Sequence, residues 1–482
     1  MKTMRELWKE DKLRFWVVLC WLMTVVSSFW GSAILSVKVP AIGELFLFRL
    51  FLPVTLILYG IWAVRHKQWR PDSTLEMWCW ILAGSLILCG VISLFRAIEA
   101  SWTFRRLFNL CFDLGLFLLM LRLCRDKKIR RLTIIATGIM LTVIMLLGAV
   151  EVFCGGLVND SYDNFKRFHF LMDIYQFPVV FSPNTNDYTS AVLFCMGLVL
   201  MEVLQPGVSM KKRLWGGVAL LGTLGYFLFA AASARLILLG FWLLWIGVLL
   251  YSLLRKKLAI KLPVLLLCGV LLVQILIHYP TTVYPVKLSI EKFLGSFSGD
   301  VPSWSFPVGD GENLEDEFFE IDPLTGEKVL RDWGSAGERA HLLIHAGKCL
   351  VGSYGLGVGM GNTEMLAREM QVNPAGKWSI HCFLARLVAD CGIFVLIPLC
   401  AIVWLVLRQL FRTVKRALKE KNRDSLSYVA LFLFVLILFP VVSTSSSDSQ
   451  DIAAMWLYLG GVVLFCDQMG ETKCIEGEMD NA

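Results

Sequence analysis

Apolar runs long enough to cross a bilayer recur twelve times along this chain. They fall at about 15–36, 43–64, 76–95, 106–124, 132–153, 187–205, 214–232, 236–254, 262–279, 383–407, 425–443 and 451–466. A bilayer core is about 30 Å thick and a helix rises about 1.5 Å per residue, so about 20 residues make one crossing. No water is present in that layer to bond stray backbone groups, and runs of this kind must be helical. Composition agrees, with 57% of the 482 residues hydrophobic and only 18% charged, below the ~25% of a soluble domain. A soluble enzyme, a disordered scaffold and a secreted disulfide module are excluded. The expected fold is an all-α polytopic membrane protein with about twelve transmembrane helices.

Loop charge sets the expected orientation. The chain carries 46 Lys+Arg against 39 Asp+Glu, a net charge of +7. In a membrane protein such an excess reports which face the loops occupy, so no nucleic-acid partner is expected. With the N-terminus in the cytoplasm, the inner segments hold 29 of the cations and the outer segments 15. Every short inner loop is then basic, and an even number of spans puts both termini inside. The charged start, Met1 to Arg14, leads into an apolar run without a small-residue cleavage site and reads as an uncleaved first span. The 14 cysteines lie mostly inside apolar runs with no Cys-x-x-Cys, and read as small buried hydrophobes.

The division that follows is spans one to nine over 1–279, a large extracytoplasmic loop over 280–382, spans ten to twelve over 383–466, and a cytoplasmic tail over 467–482. The loop is acidic, with 14 Asp and Glu against 8 Lys and Arg between Tyr279 and His381. Its "FFEIDPLTGEKVLRDW" predicts a hairpin. Its "AGERAHLLIHAGKCLVGSYG" predicts an amphipathic helix that ends at glycines. "GLGVGMGN" has no strand before it and no Lys-Ser/Thr after it, so it predicts a tight turn that lets chains approach closely rather than a phosphate loop.

Charges placed in or beside apolar runs are the candidate functional groups, because burying them in lipid is costly. Arg49 lies in "ELFLFRLFLPV", where an ion pair to Glu44 or Asp113, snorkelling, and a phosphate contact are the competing readings. Arg105 and Arg106 open the fourth span at the outer face, as solvated groups or as contacts to an anionic headgroup. Arg235, in "FAAASARLILLGF", sits in an outer turn with almost no loop and presents a planar five-donor fork suited to a diphosphate. Arg339 opens the loop helix, where a cation is disfavoured by the dipole and an outward role is favoured. His341 and His345 have the i,i+4 spacing of a metal pair but no third ligand, and no metal site is expected. His381 stands where the loop re-enters the membrane, a place for a structural imidazole or for a base that titrates near neutrality.

Four segments in this order resemble the O-antigen ligase and O-antigen polymerase superfamily, teichuronic-acid-type polymerases included. They are "FSPNTNDYTSAVLF" with Asn184 and Asn186, "SARLIL" with Ser233 and Arg235, "ERAHLLIHAGKCLVGSYGLGVGMGN" with Arg339, Gly357 and Gly361, and "IHCFLARLVADCGIFVL" with His381 and Gly392. Two positions depart from the family pattern: Cys382 stands where Asn is usual and Asp390 where Glu is usual. The resemblance spans nearly the whole chain and implies a GT-C-like architecture in the inner (cytoplasmic) membrane. It implies a glycosyltransferase acting outside the cytoplasm on an undecaprenyl-diphosphate-linked glycan donor, with a glycan, lipid or protein acceptor.

The implied reaction is inverting and metal-independent, and no Asp-x-Asp pair argues otherwise. His381 is the implied base. Arg235 and Arg339, with Arg49, Arg105 and Arg106, are the diphosphate contacts, and Asn186 and Asp390 the supporting groups. No cofactor is expected, and a chain-length regulator is the implied partner of a polymerase. A transporter or flippase of lipid-linked sugars is the alternative, against which stands the lack of an internal repeat. A non-catalytic scaffold leaves Arg235 and His381 unexplained.

Overall fold

The computed structural model describes residues 2–30, 36–39, 43–154, 179–182, 184–205, 235–255, 334–372, 378–444 and 452–471, together with isolated short pieces within 221–272 and strands at 319–321 and 328–330. The described chain is overwhelmingly helical: α1 Lys2–Glu10, α2 Lys12–Ser28, α3 Leu47–Arg65, α4 Thr74–Leu94, α5 Ala100–Leu123, α6 Lys127–Cys154, α7 Thr185–Val203, α8 Arg235–Leu254, α9 Gly334–Gly352, α10 Asn362–Glu369, α11 Phe383–Cys391, α12 Ile393–Lys419, α13 Arg423–Val442 and α14 Ala453–Glu471. Six are long and apolar enough to cross a membrane: α3, α4, α6, α8, α12 and α13. The protein is therefore an all-α multi-pass membrane protein by the length and composition of its helices. The expected seventh and ninth spans lie mostly outside the described residues.

Two small antiparallel ribbons complete the architecture. β1 (Val37–Val39) pairs with β2 (Gly43–Leu45), Val39 opposite Gly43, between α2 and α3. β3 (Phe319–Ile321) pairs with β4 (Lys328–Leu330), Phe319 opposite Leu330, which is the hairpin expected of that segment. The residues joining each pair of strands, 40–42 and 322–327, lie outside the described set.

Polar groups at chain turns explain where several helices begin. Asp11 accepts from the amides of Leu13 and Arg14 at the head of α2, and Ser73 from the amide of Glu76 at the head of α4. Asp126 accepts from Lys128 at the head of α6, and Asn422 from Ser425 at the head of α13. Each satisfies an amide that the helix itself cannot pair. Between these ends the helices pack through apolar side chains. α8 lies along α13, α2 along α3, α12 along α4, and α14 against both α5 and α7. Some polar groups inside are paired across helices: Trp21 donates to Thr133 (2.8 Å) and the hydroxyls of Thr24 and Thr55 meet at 2.9 Å.

The two ends of the bundle differ. One end is stapled by ion pairs between helices. Arg14 pairs with Asp126; Arg122 with Asp72 and Glu76, both at 3.0 Å; Arg125 with Asp467 and Glu76; Arg130 with Glu202 at 3.0 Å; Arg255 with Asp424 at 3.5 Å. This basic end is where the sequence puts its cytoplasmic loops. The opposite end, here the loop end, carries α9, α10 and α11.

The expected tenth span, 383–407, is corrected by the structure. It is two helices, α11 and α12, broken at Gly392 (φ 62, ψ −146); the apolar span begins at Ile393, and its helix continues to Lys419. An L-residue with a Cβ is disfavoured in that conformation, so the break is written into the sequence as glycine. Arg386, which the pattern placed in that span, consequently lies in the short helix outside it.

Glu76 is buried and held by two guanidinium groups. Arg122→Ala is expected to lower stability by about 3 kcal/mol by leaving that carboxylate half-compensated. Thermal unfolding in detergent reads the loss, and the double variant Arg122→Ala/Glu76→Gln recovers part of it.

Candidate functional site

The loop end is organised by the stretch from Ser353 to Thr363. Its glycines at 355, 357, 359 and 361 all have positive φ, between 78° and 103°. That alternation lets the backbone lie directly on the α11–α12 junction. Val358 N–H donates to the Ala389 carbonyl (3.0 Å), Gly359 N–H to the Asp390 carbonyl (2.8 Å), and Ile393 N–H to the Gly355 carbonyl (2.8 Å). A Cβ on Gly357 would come within 2.5 Å of the Asp390 carbonyl oxygen, and one on Gly392 would overlap the backbone of Gly355 and Leu356. The tight turn expected of this segment is what forms.

The same stretch is stitched to α4 and α5. Ser93 accepts from the Met360 amide (2.7 Å), Thr103 donates to the Met360 carbonyl (3.1 Å), and Asn362 bridges the Arg96 carbonyl and the Ile98 amide, both at 3.1 Å. From Gly357 to Thr363 every amide has a protein acceptor. No amide there is left to cradle a phosphate, which agrees with the sequence reading against a phosphate loop.

Asp390 closes this arrangement. Its carboxylate accepts from the amides of Gly361 (2.9 Å) and Thr363 (3.2 Å) and from the Thr363 hydroxyl. Those amides head α10, so Asp390, from a different helix, caps α10. Burial pushes its pKa up to about 6, against the pull of the Thr363 and Gly361 donors and the Arg386 charge.

Beside it lies a buried ion-pair chain. Glu364, 2% exposed, accepts from Arg106 at 2.9 Å and from Arg386 at 3.0 Å, and these are 5% and 3% exposed. The Arg106 guanidinium also lies over the Trp102 ring, 4.6 Å from its centroid. Ser379 donates to the same Glu364 carboxylate (3.3 Å), which ties residues 378–382 to this hub. His345 is buried and its Nε2 donates to the Thr363 carbonyl (3.1 Å). Because a carbonyl only accepts, that contact fixes the proton on Nε2. Desolvation holds both His345 and His341 below the usual imidazole range, His341 at about 4, so both are neutral at pH 7.

The residues singled out from sequence fall into distinct settings. His381 is half-buried, two residues beyond Ser379 and two before the start of α11. Arg106 is engaged by Glu364 rather than presented outward, and Asp390 is the α10 cap. Arg49, on α3, donates to Asn109 of α5 (2.6 Å) and lies over the rings of Phe46 and Phe108. Arg105 is exposed, and Arg339 is half-buried on α9. Asn186 stands in the first turn of α7, which Asn184 caps through the Asp187 amide. Arg235 is the first residue of α8, and its side chain lies outside the described set, as does that of Glu44. The structure thus gathers Arg106, Asp390 and the His381 segment around one hub, and leaves Arg49 and Asn186 on other contacts.

Glu364 and Arg386 were not assigned roles from sequence. The available signal was Arg386 itself, a cation in an apolar run that requires a carboxylate. Nothing local to "GNTEMLARE" says that Glu364 supplies it. Among the described residues no cluster of three His, Cys, Asp or Glu could hold a metal ion.

The fold and site define a multi-pass helical membrane protein with a glycine-stitched loop packed against one end, buried from Met360 to Thr363. Comparison with protein-family models and with curated proteins gives no match.

Two outcomes test the site. Gly392→Ala is expected to abolish folded protein, since its Cβ meets backbone, whereas Gly355→Ala, which faces open space at φ 78, costs about 1–2 kcal/mol; size-exclusion yield and unfolding temperature separate the two. Asp390→Asn leaves one facing donor unpaired and is expected to cost about 1–3 kcal/mol. The sign with pH follows from the raised pKa: the folded protein holds the Asp390 proton below about 6 and the unfolded chain only below about 3.8, so native stability grows as pH falls through 6. The stability gap between wild type and Asp390→Asn should therefore widen from pH 7.5 to 5.5.

Proposed function

We propose that this chain is an extracytoplasmic membrane glycosyltransferase. It moves a glycan from an undecaprenyl-diphosphate donor to an acceptor hydroxyl in cell-surface polysaccharide assembly, as an O-antigen ligase or polymerase does. The finer features of the reading are twelve spans, both termini in the cytoplasm and the loop end outside. The observation that carries it is the contrast between the two ends. Ion pairs at the ends of eight helices staple the basic end, while the loop end builds a buried charged hub with His381 beside it. A carrier that alternates access must open both ends. An enzyme needs one rigid, organised end, and this asymmetry favours the enzyme over the flippase.

The chemistry follows from the groups assigned. The acceptor oxygen attacks the anomeric carbon as the bond to the diphosphate oxygen breaks, and the configuration inverts. The hydroxyl proton passes to His381. The electron pair leaves with the diphosphate, whose charge Arg235 and Arg339 receive through planar guanidinium forks. Arg49 and Arg105 are further cations for the donor headgroup, and Arg106 acts from within through Glu364. Asn186 and Asp390 support the segments that carry the site.

Purified protein in liposomes, given a lipid-diphosphate oligosaccharide and a chelator, tests the reading. A ladder of longer lipid-linked glycans identifies a polymerase, and a single transfer that requires a separate acceptor identifies a ligase. Movement of labelled lipid across the bilayer without new glycosidic bonds overturns the proposal in favour of a flippase. His381→Ala is expected to lower turnover by about 10²–10⁴-fold while donor binding persists; near-normal turnover removes His381 as base. Arg235→Ala is expected to lose most transfer while remaining folded in the membrane, and normal transfer removes its diphosphate role.

A further inference from the structure

The exposed face of α12 changes chemistry partway along its length. Over its first four turns that face presents Ile393, Ile397, Val403, Trp404 and Leu407. From Arg408 the same face presents Arg408, Arg412, Lys415 and Lys419, all exposed, at the i, i+4, i+7, i+11 spacing that keeps side chains in one stripe. Phe411 (71% exposed) and Leu418 (60% exposed) interleave with them. Among the described residues none of the four cations has an ion-pair partner. The helix has 27 residues and is about 40 Å long, against about 30 Å of hydrocarbon, so its cationic turns leave the core and enter the headgroup layer. Cα–Cβ bonds tilt toward a helix N-terminus, which aims these long side chains back at the bilayer surface.

We propose that this stripe is a binding surface for anionic phospholipid headgroups in the leaflet at the basic end. The phosphates lie against Arg408, Arg412, Lys415 and Lys419, and the upper acyl chains lie against Trp404, Leu407 and Phe411. The interleaved apolar side chains, and their continuity with the apolar face above, select a lipid over a soluble anion. The stripe is independent of the loop-end site and of any catalytic reading.

Purified full-length protein in mild detergent, mixed with phosphatidylglycerol or phosphatidylcholine, tests this by counting retained lipids with native mass spectrometry. Wild type is expected to prefer phosphatidylglycerol by about tenfold. The variant Arg408→Gln/Arg412→Gln/Lys415→Gln/Lys419→Gln is expected to fall to within about twofold of no preference while its unfolding temperature in detergent alone is unchanged. A matched variant at the same end, Arg65→Gln/Lys67→Gln/Arg70→Gln/Lys127→Gln, is expected to keep the preference. Retention of the preference by the α12 variant overturns the proposal. So does equal loss in the matched variant, which would make net charge the cause. Displacement of the lipid by millimolar inorganic phosphate overturns it in favour of a soluble-anion site.

Discussion

Seven consecutive amides, Gly357 to Thr363, are all engaged inside the protein, four of them by Ala389 and Asp390. That one contact between a loop and the end of a short helix governs the loop end. Unpaired backbone groups buried in a low-dielectric setting are costly, so a loop can sit there only if each amide meets an acceptor at the right spacing. Alternating glycines provide that spacing. They remove the Cβ atoms that would hold the two backbones apart, and they admit the left-handed conformations that turn successive amides toward α11.

The charges at this end follow from the same requirement. Arg106 and Arg386 carry two positive charges, and Glu364 and Asp390 two potential negative ones. Glu364 receives both guanidinium groups. Asp390, buried and satisfied largely by amides, keeps a proton more readily than an ordinary carboxyl. A network of this kind contributes little net stability when whole, because desolvation offsets much of the attraction, but removing one member leaves a bare charge. Its principal effect is to fix geometry: α5, α10, α11 and the segment bearing His381 are held to a common carboxylate. The ion pairs at the basic end do the same for α2, α4, α5, α6, α7, α8, α13 and α14.

Much of this was legible in the sequence, and the parts that were not share a cause. Helical class, the six membrane-length apolar helices and the loop helix follow from local periodicity and hydropathy. The β3–β4 hairpin and the close-approach turn follow from glycine, proline and strand-forming residues within a few positions of one another. The break at Gly392 was missed because a glycine inside an apolar run is also tolerated in membrane helices, and what forces the break is the backbone of Gly355 and Leu356, some 37 positions earlier. Glu364 was missed for the same reason: its partners are 258 and 22 residues away. Arg106 was read as facing outward from its place at a span boundary, whereas its setting depends on a carboxylate delivered by a distant loop. Pairings across the fold carry no local signature.

The break at Gly392 also explains how loop and bundle act as one body. A continuous helix from Phe383 to Lys419 would bury the first amides of α12 within its own ladder and leave the glycine loop no place to attach. Ending α11 at Cys391 instead exposes the Ala389 and Asp390 carbonyls to Val358 and Gly359, and frees the Ile393 amide for Gly355. The apolar span therefore begins as a partner of the loop, while the loop is fixed on its other side to Ser93, Arg96, Ile98 and Thr103 of the α4–α5 corner. Displacing the loop would break contacts on both sides at once. Any chemistry at this end must then work on a preorganised wall, with its adaptable parts supplied by segments other than residues 353–363 and 383–393.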